Sequence, residues 1–260
     1  MITSSSNAQV KNVILLNKKA RARRQQGVFV AEGIKMYQEA PRAWIRKVYA
    51  AESFAADPEH ADLLDGTDCE IVEDRVFAQM SDTQTPQGIL CLVKIPSYSL
   101  EDVLAGENPL ILVLEDLQDP GNVGTILRTG EGAGVTGVIM SRNTVDLFNP
   151  KTIRSTMGSV YRMPFFCAED MGAVMDALSA RRICTCAAHL RGERSYTQED
   201  YRRPCAFLIG NEGNGLSDSL AGRADRLVRI PMAGKVESLN AAIASAVLMY
   251  EANRQRGTGR

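Results

Sequence analysis

Residues 110–128 read LILVLEDLQDPGNVGTILR, and the folding of that stretch decides the architecture of the chain. Leu110–Glu115 is almost continuously apolar. A strand there must be covered on both faces, as in a parallel sheet flanked by helices. Pro120-Gly121 then turns the chain, and Asn122 is placed to cap a helix that carries Arg128 roughly two turns further on. A polar turn at the carboxyl end of a buried strand is where open α/β sheets place ligands. The plainer reading of the same residues is a strand–turn–helix without a ligand.

Further short apolar strands follow at Val138–Met140, Ile183–Ala187, Ala206–Ile209 and Leu227–Ile230, with helical segments between them. Ahead of residue 110 the pattern differs. A basic helical stretch from Val10 ends near Gly27, and GVFVA, RKVYA, the segment around Glu70–Val72 and GILCLVK read as strands alternating with short helices. These units predict a small α/β domain over residues 1–97, a linker over 98–107 within the Pro-bounded stretch IPSYSLEDVLAGENP, a second α/β domain over 108–256 and a tail over 257–260 within the frayed end RQRGTGR.

Two more segments of the second half carry chemistry. AFLIGNEGNGLSDSL, residues 206–220, breaks a buried strand into Gly210-Asn211-Glu212-Gly213-Asn214-Gly215. The glycines let the backbone approach a ligand, but no Lys-Ser/Thr pair follows, so this is not a nucleotide-phosphate loop. Glu212 inside it favours a neutral or cationic ligand. VRIPMAGKVESLNAAIASAVLMY, residues 228–250, ends a strand at Ile230-Pro231-Met232 and sets Ser238-Leu239-Asn240 at the head of an Ala-rich helix, where simple capping is the rival explanation. GAGVTG at residues 132–137 matches a dinucleotide fingerprint. Its helix lies before it and its strand after it, the reverse of what that fingerprint requires. An oxidoreductase loses most of its support there.

Composition excludes several classes. No run approaches the roughly 18 apolar residues needed to span a bilayer, and MITSSSNAQVKN lacks the apolar core of a secretion signal. A cytoplasmic protein with no membrane partner is the expectation. Cys69, Cys91, Cys167, Cys184, Cys186 and Cys205 form no CxxC pair, and only His60 and His189 are available beside them. Reduced thiols and no metal site are therefore expected. Net charge is −1, yet residues 1–31 hold Lys11, Lys18, Lys19, Arg21, Arg23 and Arg24 and no acidic residue. Such a face binds a phosphate backbone or is merely solvated.

Taken together, the three segments resemble the SpoU/TrmH family of RNA methyltransferases in the SPOUT superfamily. The likeness lies in Asn122, Gly124 and Arg128; in Gly210, Glu212, Gly215 and Leu216; and in Ile230-Pro231-Met232 with Ser238-Leu239-Asn240. NPKTIRSTMGSVYRMP, residues 149–164, is similar to the family's stretch between the first two motifs. FVAEGIKMYQEA and FAQMSDTQTPQGILCLV resemble the L30e-like substrate-binding domain often fused to it.

The resemblance implies a parallel-sheet domain with a deep trefoil knot, a homodimer, and S-adenosyl-L-methionine as cofactor. The implied reaction is methylation of a ribose 2′-hydroxyl, in 23S rRNA by preference, with tRNA or a non-catalytic RNA-binding role as alternatives. It assigns Arg128, Asn122, Glu212 and Ser238 to catalysis. Gly210, Asn211, Gly215, Ile230, Met232, Ser238, Leu239 and Asn240 are expected to hold the cofactor. Lys18, Lys19, Arg21, Arg23, Arg24 and Arg154 are expected to meet RNA. Whether such an activity serves housekeeping or antibiotic resistance is left open.

Overall fold

The computed structural model describes residues 1–257, which form two compact units. One holds Met1–Ser97 together with Asp146–Tyr161; the other holds Tyr98–Val145 and the chain from Arg162 onward. Residues 258–260 of the expected tail lie outside the described residues.

The first unit contains α1 (Ala8–Lys18), α2 (Ala20–Gln26), β1 (Val28–Glu32), α3 (Ile34–Glu39), β2 (Ile45–Ala51), α4 (Glu52–Ala56), α5 (Ala61–Leu64), β3 (Cys69–Val72), α6 (Asp74–Met80) and β4 (Ile89–Lys94). Its sheet runs β1-β4-β2-β3, with β4 antiparallel to both neighbours and β3 parallel to β2. The basic stretch is two helices rather than one, because Lys19 is extended (φ −126°, ψ 108°). α1 turns Val10, Val13 and Leu16 inward. The amides of Asn12 and Gln26 bond reciprocally at 3.1 and 2.8 Å and tie the two helices together.

The second unit begins with α7 (Leu100–Val103), β5 (Leu110–Leu114), α8 (Pro120–Ala133) and β6 (Gly137–Ser141). Next comes α9 (Pro150–Thr156), which packs in the first unit. Then follow β7 (Phe165–Ala168), α10 (Met171–Ala180), β8 (Cys184–Ala188), β9 (Arg194–Ser195), β10 (Cys205–Ile209), α11 (Asp218–Ala221), β11 (Arg226–Arg229) and α12 (Ala241–Arg256). Seven strands pair in parallel in the order β7-β6-β5-β10-β8-β11-β9. All five residues of β5, and all five of β10, are buried, as continuous apolar strands require. From β5 the chain steps outward through β6 to β7, while β10 lies on the opposite side of β5. The crevice outside the carboxyl ends of β5 and β10 is thus a topological switch point, where doubly wound sheets bind ligands.

Several details differ from the sequence reading. β7 and β9 were not foreseen; both are sheet edges, and β9 has two residues. Residues 98–107 are no free linker. Ser99 and Asp102 cap α7 reciprocally, and Val103 and Leu104 are buried in the second core. Tyr98 packs edge-on against Phe165 with ring centroids 5.4 Å apart. Residues 146–161 belong with the first unit because their partners are there: Phe148 lies against Phe29 at 4.9 Å, and Tyr161 donates its hydroxyl to the Met36 carbonyl at 3.0 Å. The end of the chain is helical through Arg256, and Gly257 closes α12 in the left-handed region (φ 66°). Gly134 (φ 84°) closes α8 before β6, so the GAGVTG stretch is a helix stop and turn.

Candidate active site

α8 starts differently from the expectation. Its cap is Asp119, whose carboxylate accepts from the Asn122 backbone N–H at 2.8 Å, with Pro120 in the first turn. The Asn122 side chain is thereby released for another task. Its Nδ2 donates to Glu212 Oε1 at 3.0 Å, and its Oδ1 accepts from Asn240 Nδ2 at 3.0 Å. Asn240 in turn caps α12 by accepting from the Ala242 and Ile243 amides at 2.8 and 3.3 Å. One asparagine therefore joins all three motifs.

Glu212 is the second hub. It accepts from the backbone amides of Gln118 at 3.0 Å and Asp119 at 3.1 Å as well as from Asn122. Partial burial works against its charge, but these donors outweigh it and hold the carboxyl below its ordinary range. The other end of the glycine loop is also tied to β5: Glu115 accepts from the amide and the hydroxyl of Ser217, each at 2.7 Å. Asp116 sits in the left-handed region (φ 56°), a conformation that strains a residue with a side chain. It is held there by Ser141, which donates its hydroxyl to Asp116 Oδ1 at 2.6 Å, and by Asn211, whose Nδ2 donates to the Asp116 carbonyl at 2.8 Å.

Asn211 also shapes its own loop. Its Oδ1 accepts from the amides of Gly213 and Asn214, and its backbone pairs with Gly215 in both directions. The loop folds so tightly that a Cβ on Gly210 would lie 2.1 Å from the Gly215 carbonyl carbon.

The fold thus forms a cavity of about 560 Å³ at the carboxyl end of the sheet. Gly210, Asn211, Glu212, Gly215, Ile230, Met232, Ser238 and Leu239 line it. Asn240 does not; it acts from behind, on Asn122 and on the end of α12. Ile209, Leu216, Val228, Ala241 and Ala244 add apolar surface. Ser238 belongs to the lining, and its hydroxyl has no hydrogen-bond partner among the described residues. His189 lines the cavity too; its Nδ1 accepts from the Arg191 amide at 3.0 Å, which leaves Nε2 to act as a donor.

Arg128 is exposed on α8 and has no hydrogen bond or ion pair among the described residues. The residues that sequence reasoning missed are Glu115, Gln118 and Asp119. Their signal was the polar density of the turn after β5, which marks a site without saying which group bonds to which.

The expected RNA contacts of the first unit divide. Lys18, Lys19, Arg21 and Arg24 are exposed on α1, α2 and the break between them. Arg23 is not available: it is 3% exposed, ion-paired with Asp146, and bonded to the carbonyls of Leu16 and Asn17. It is a structural residue, because its position in α2 points inward. Arg154 is half-buried and paired with Asp82 at 2.8 Å. Among the described residues no group of three or more His, Cys, Asp or Glu is arranged to hold a metal ion, and no helix is long and apolar enough to cross a membrane.

This architecture is shared with known proteins. The SpoU rRNA Methylase family model matches residues 109–250, and that of the MRM3-like substrate binding domain matches residues 7–91. The chain is 31% identical over 250 residues to the 23S rRNA (guanosine(2553)-2'-O)-methyltransferase RlmP of Bacillus subtilis, covering 96% of this chain and 97% of that one. The crystal structure of the SpoU methyltransferase AviRb from Streptomyces viridochromogenes in complex with AdoMet superposes with a TM-score of 0.89 at 29% identity, over 98% of this chain and 100% of that one. The AdoMet-bound rRNA methyltransferase from Sinorhizobium meliloti gives a TM-score of 0.83 at 31% identity, over 97% of each chain. With its three motifs joined through Asn122 around one cavity, the chain belongs to the SpoU rRNA methylase family.

Proposed function

We propose that this protein is an S-adenosyl-L-methionine-dependent RNA methyltransferase that methylates a ribose 2′-hydroxyl in 23S rRNA. The observation that carries the reading is the Asn240–Asn122–Glu212 chain of hydrogen bonds, which closes the three family motifs around the 560 Å³ cavity. The relatives named above act on 23S rRNA or are bound to AdoMet.

The residues present fit that cofactor. A volume of about 560 Å³ lies in the range of small-molecule sites. Ile209, Leu216, Ile230 and Leu239 offer an apolar slot for a purine. Loop amides and carbonyls of 210–215 and 230–232 offer polar edges, and Glu212 and Glu237 supply negative potential suited to a cationic ligand. When bound, the cofactor supplies a methyl group on a positively charged sulfur.

The protein's own work is to align the reacting atoms and to stabilise charge on the ribose oxygen. A guanidinium is too weak a base to take a proton at neutral pH. Arg128 therefore acts as a cation beside the ribose and its phosphate, favouring the negative charge that develops on the 2′-oxygen. The unpartnered Ser238 hydroxyl is available to orient polar groups of the bound ligands, and Asn122 and Glu212 hold the loops.

The exposed cations of α1 and α2, Lys18, Lys19, Arg21 and Arg24, grip the RNA backbone in this reading, with Arg154 joining them only if its pair with Asp82 opens. The active form is a homodimer. α12 leaves Ile243, Ala246, Val247 and Tyr250 at one helical face, and Ile243 and Tyr250 are 52% and 51% exposed, a stripe suited to a second copy of the chain. The trefoil knot implied by the family and a cytoplasmic location belong to the same reading.

Mapping 2′-O-methyl sites in RNA from cells with and without the gene tests the proposal. One 23S rRNA position should lose its methyl group in the deletion and regain it with the wild-type gene but not with Arg128→Ala. Loss confined to a tRNA, or no loss together with no cofactor binding in calorimetry, would refute it.

A further inference from the structure

The sheet of the second unit carries three thiols that methyl transfer does not use. Cys184 opens β8, and Cys186 follows two residues later on the same face. Cys205 opens β10 directly opposite Cys184 in the parallel register. Cys186 and Cys205 are buried and Cys184 is half-buried. Arg256 at the end of α12 places Nη2 3.5 Å from the Cys205 sulfur.

The two thiols of β8 are neighbours on that face. The adjoining Cys186 thiol lowers Cys184 to about 7 against the opposing effect of burial, while Cys186 is itself pushed up. A thiolate is the nucleophilic form of cysteine. Cys205 is pushed up to about 11 by burial, with Arg256 opposing. The roles of attacked and resolving sulfur are thus separated by environment.

Reach selects the resolving partner. Adjacent strands lie roughly 4.8 Å apart, within the Cα window of about 4.4–6.8 Å that a disulfide needs. Two residues along one strand lie roughly 6.6 Å apart, at the outer edge of that window.

We propose that Cys184, Cys186 and Cys205 form a peroxide-sensitive modification site, in which Cys184 is oxidised first and Cys205 resolves it to a cross-strand disulfide. In the first step the Cys184 sulfur attacks a peroxide. An S–O bond forms, the O–O bond breaks, the sulfur becomes a sulfenic acid, and the departing hydroxide takes a proton to become water. In the second step the Cys205 sulfur attacks that sulfur. The S–S bond forms, the S–O bond breaks, and the hydroxyl leaves with the Cys205 proton as a second water. Two thiols lose two electrons, and one hydrogen peroxide is reduced to two waters. Cys186 stays reduced.

The test treats the full-length protein with hydrogen peroxide at pH 7, blocks free thiols with iodoacetamide and maps peptides without reduction. A link between Cys184 and Cys205, reversed by dithiothreitol and formed before exposed Cys167 reacts, is the expected product. Cys184→Ser abolishes it. Cys186→Ala slows its formation about tenfold by returning Cys184 toward an ordinary thiol, and Cys186→Ser, which keeps an O–H donor, restores most of the rate. Circular dichroism of each variant checks that it folds. A link between Cys184 and Cys186, first oxidation at Cys167, or a folded Cys186→Ala with an unchanged rate would overturn the proposal.

Discussion

Asn122 Nδ2 donates to Glu212 Oε1 across 3.0 Å, and that bond joins the turn after β5 to the loop after β10. Asn122 also accepts from Asn240, so its amide serves as donor and acceptor at once. Asn122→Asp cannot donate to Glu212 and sets two carboxylates face to face. A hydrogen bond to a charged group contributes about 1.5–3 kcal/mol. Affinity for S-adenosyl-L-methionine should fall at least about tenfold, and the melting temperature should fall with it. Isothermal calorimetry and a melting curve measure the two effects separately.

Glu212 makes the site acid-sensitive in a defined direction. Its carboxyl lies below the ordinary 4.5, because the Asn122, Gln118 and Asp119 donors outweigh burial. A depressed carboxyl contributes stability that is complete above the unfolded value and is lost as pH falls through the folded one. Glu212→Gln should therefore melt below the wild type at pH 7, and the gap should close as pH falls below 4.5. A gap that is constant across that range would show that the charge is irrelevant.

The glycines of the loop are not equivalent. A methyl group on Gly210 would meet the Gly215 and Leu216 backbone at 2.1 Å, where nothing flexible yields. The nearest atom to a Cβ on Gly213 is the Asn211 side-chain oxygen at 3.5 Å, an ordinary contact. Gly210→Ala should abolish cofactor binding, whereas Gly213→Ala should stay within a few-fold of wild type. Equal effects in calorimetry would show that the loop is not built as described.

Arg23 and Arg24 are adjacent in sequence and should differ in effect. Arg23→Ala leaves Asp146 without its buried partner, a loss of about 3 kcal/mol or more seen by denaturant titration. Arg24→Ala removes an exposed charge, so stability should hold while the salt dependence of RNA binding weakens by about one unit of slope. An unchanged slope would remove Arg24 from the RNA face.

Arg128 is exposed and unpaired among the described residues, so its removal should cost little stability. Arg128→Ala should lower methyl transfer by about a hundredfold or more while cofactor affinity is retained. Arg128→Lys keeps the charge but not the planar fork, so most of the loss should persist. Near-normal turnover with lysine would leave only a point charge to explain.

The parts that local residues control were legible in the sequence. Buried parallel strands write themselves as apolar runs, so β5, β6, β8, β10 and β11 were each found within a residue or two. Seven of the eight expected cofactor residues line the cavity because motifs at strand ends must emerge at the carboxyl edge of the sheet. Edge strands of two and four residues carry too little pattern, and β7 and β9 were missed. The cap of α8 was misread for a similar reason: Asp119 and Asn122 both suit a cap, and only the backbone decides between them.

The sequence alone determined the parallel α/β sheet, the three motifs and the basic start of the chain, because strand burial, turn chemistry and charge are local properties. Tertiary structure decided which partners those residues take. It turned Arg23 inward onto Asp146, drew residues 146–161 into the first unit and made Asn122 the bridge between Glu212 and Asn240. Those pairs lie roughly 90–120 residues apart in the chain, and no local preference can choose among acceptors at that separation. Folding chooses by satisfying every partly buried donor at once.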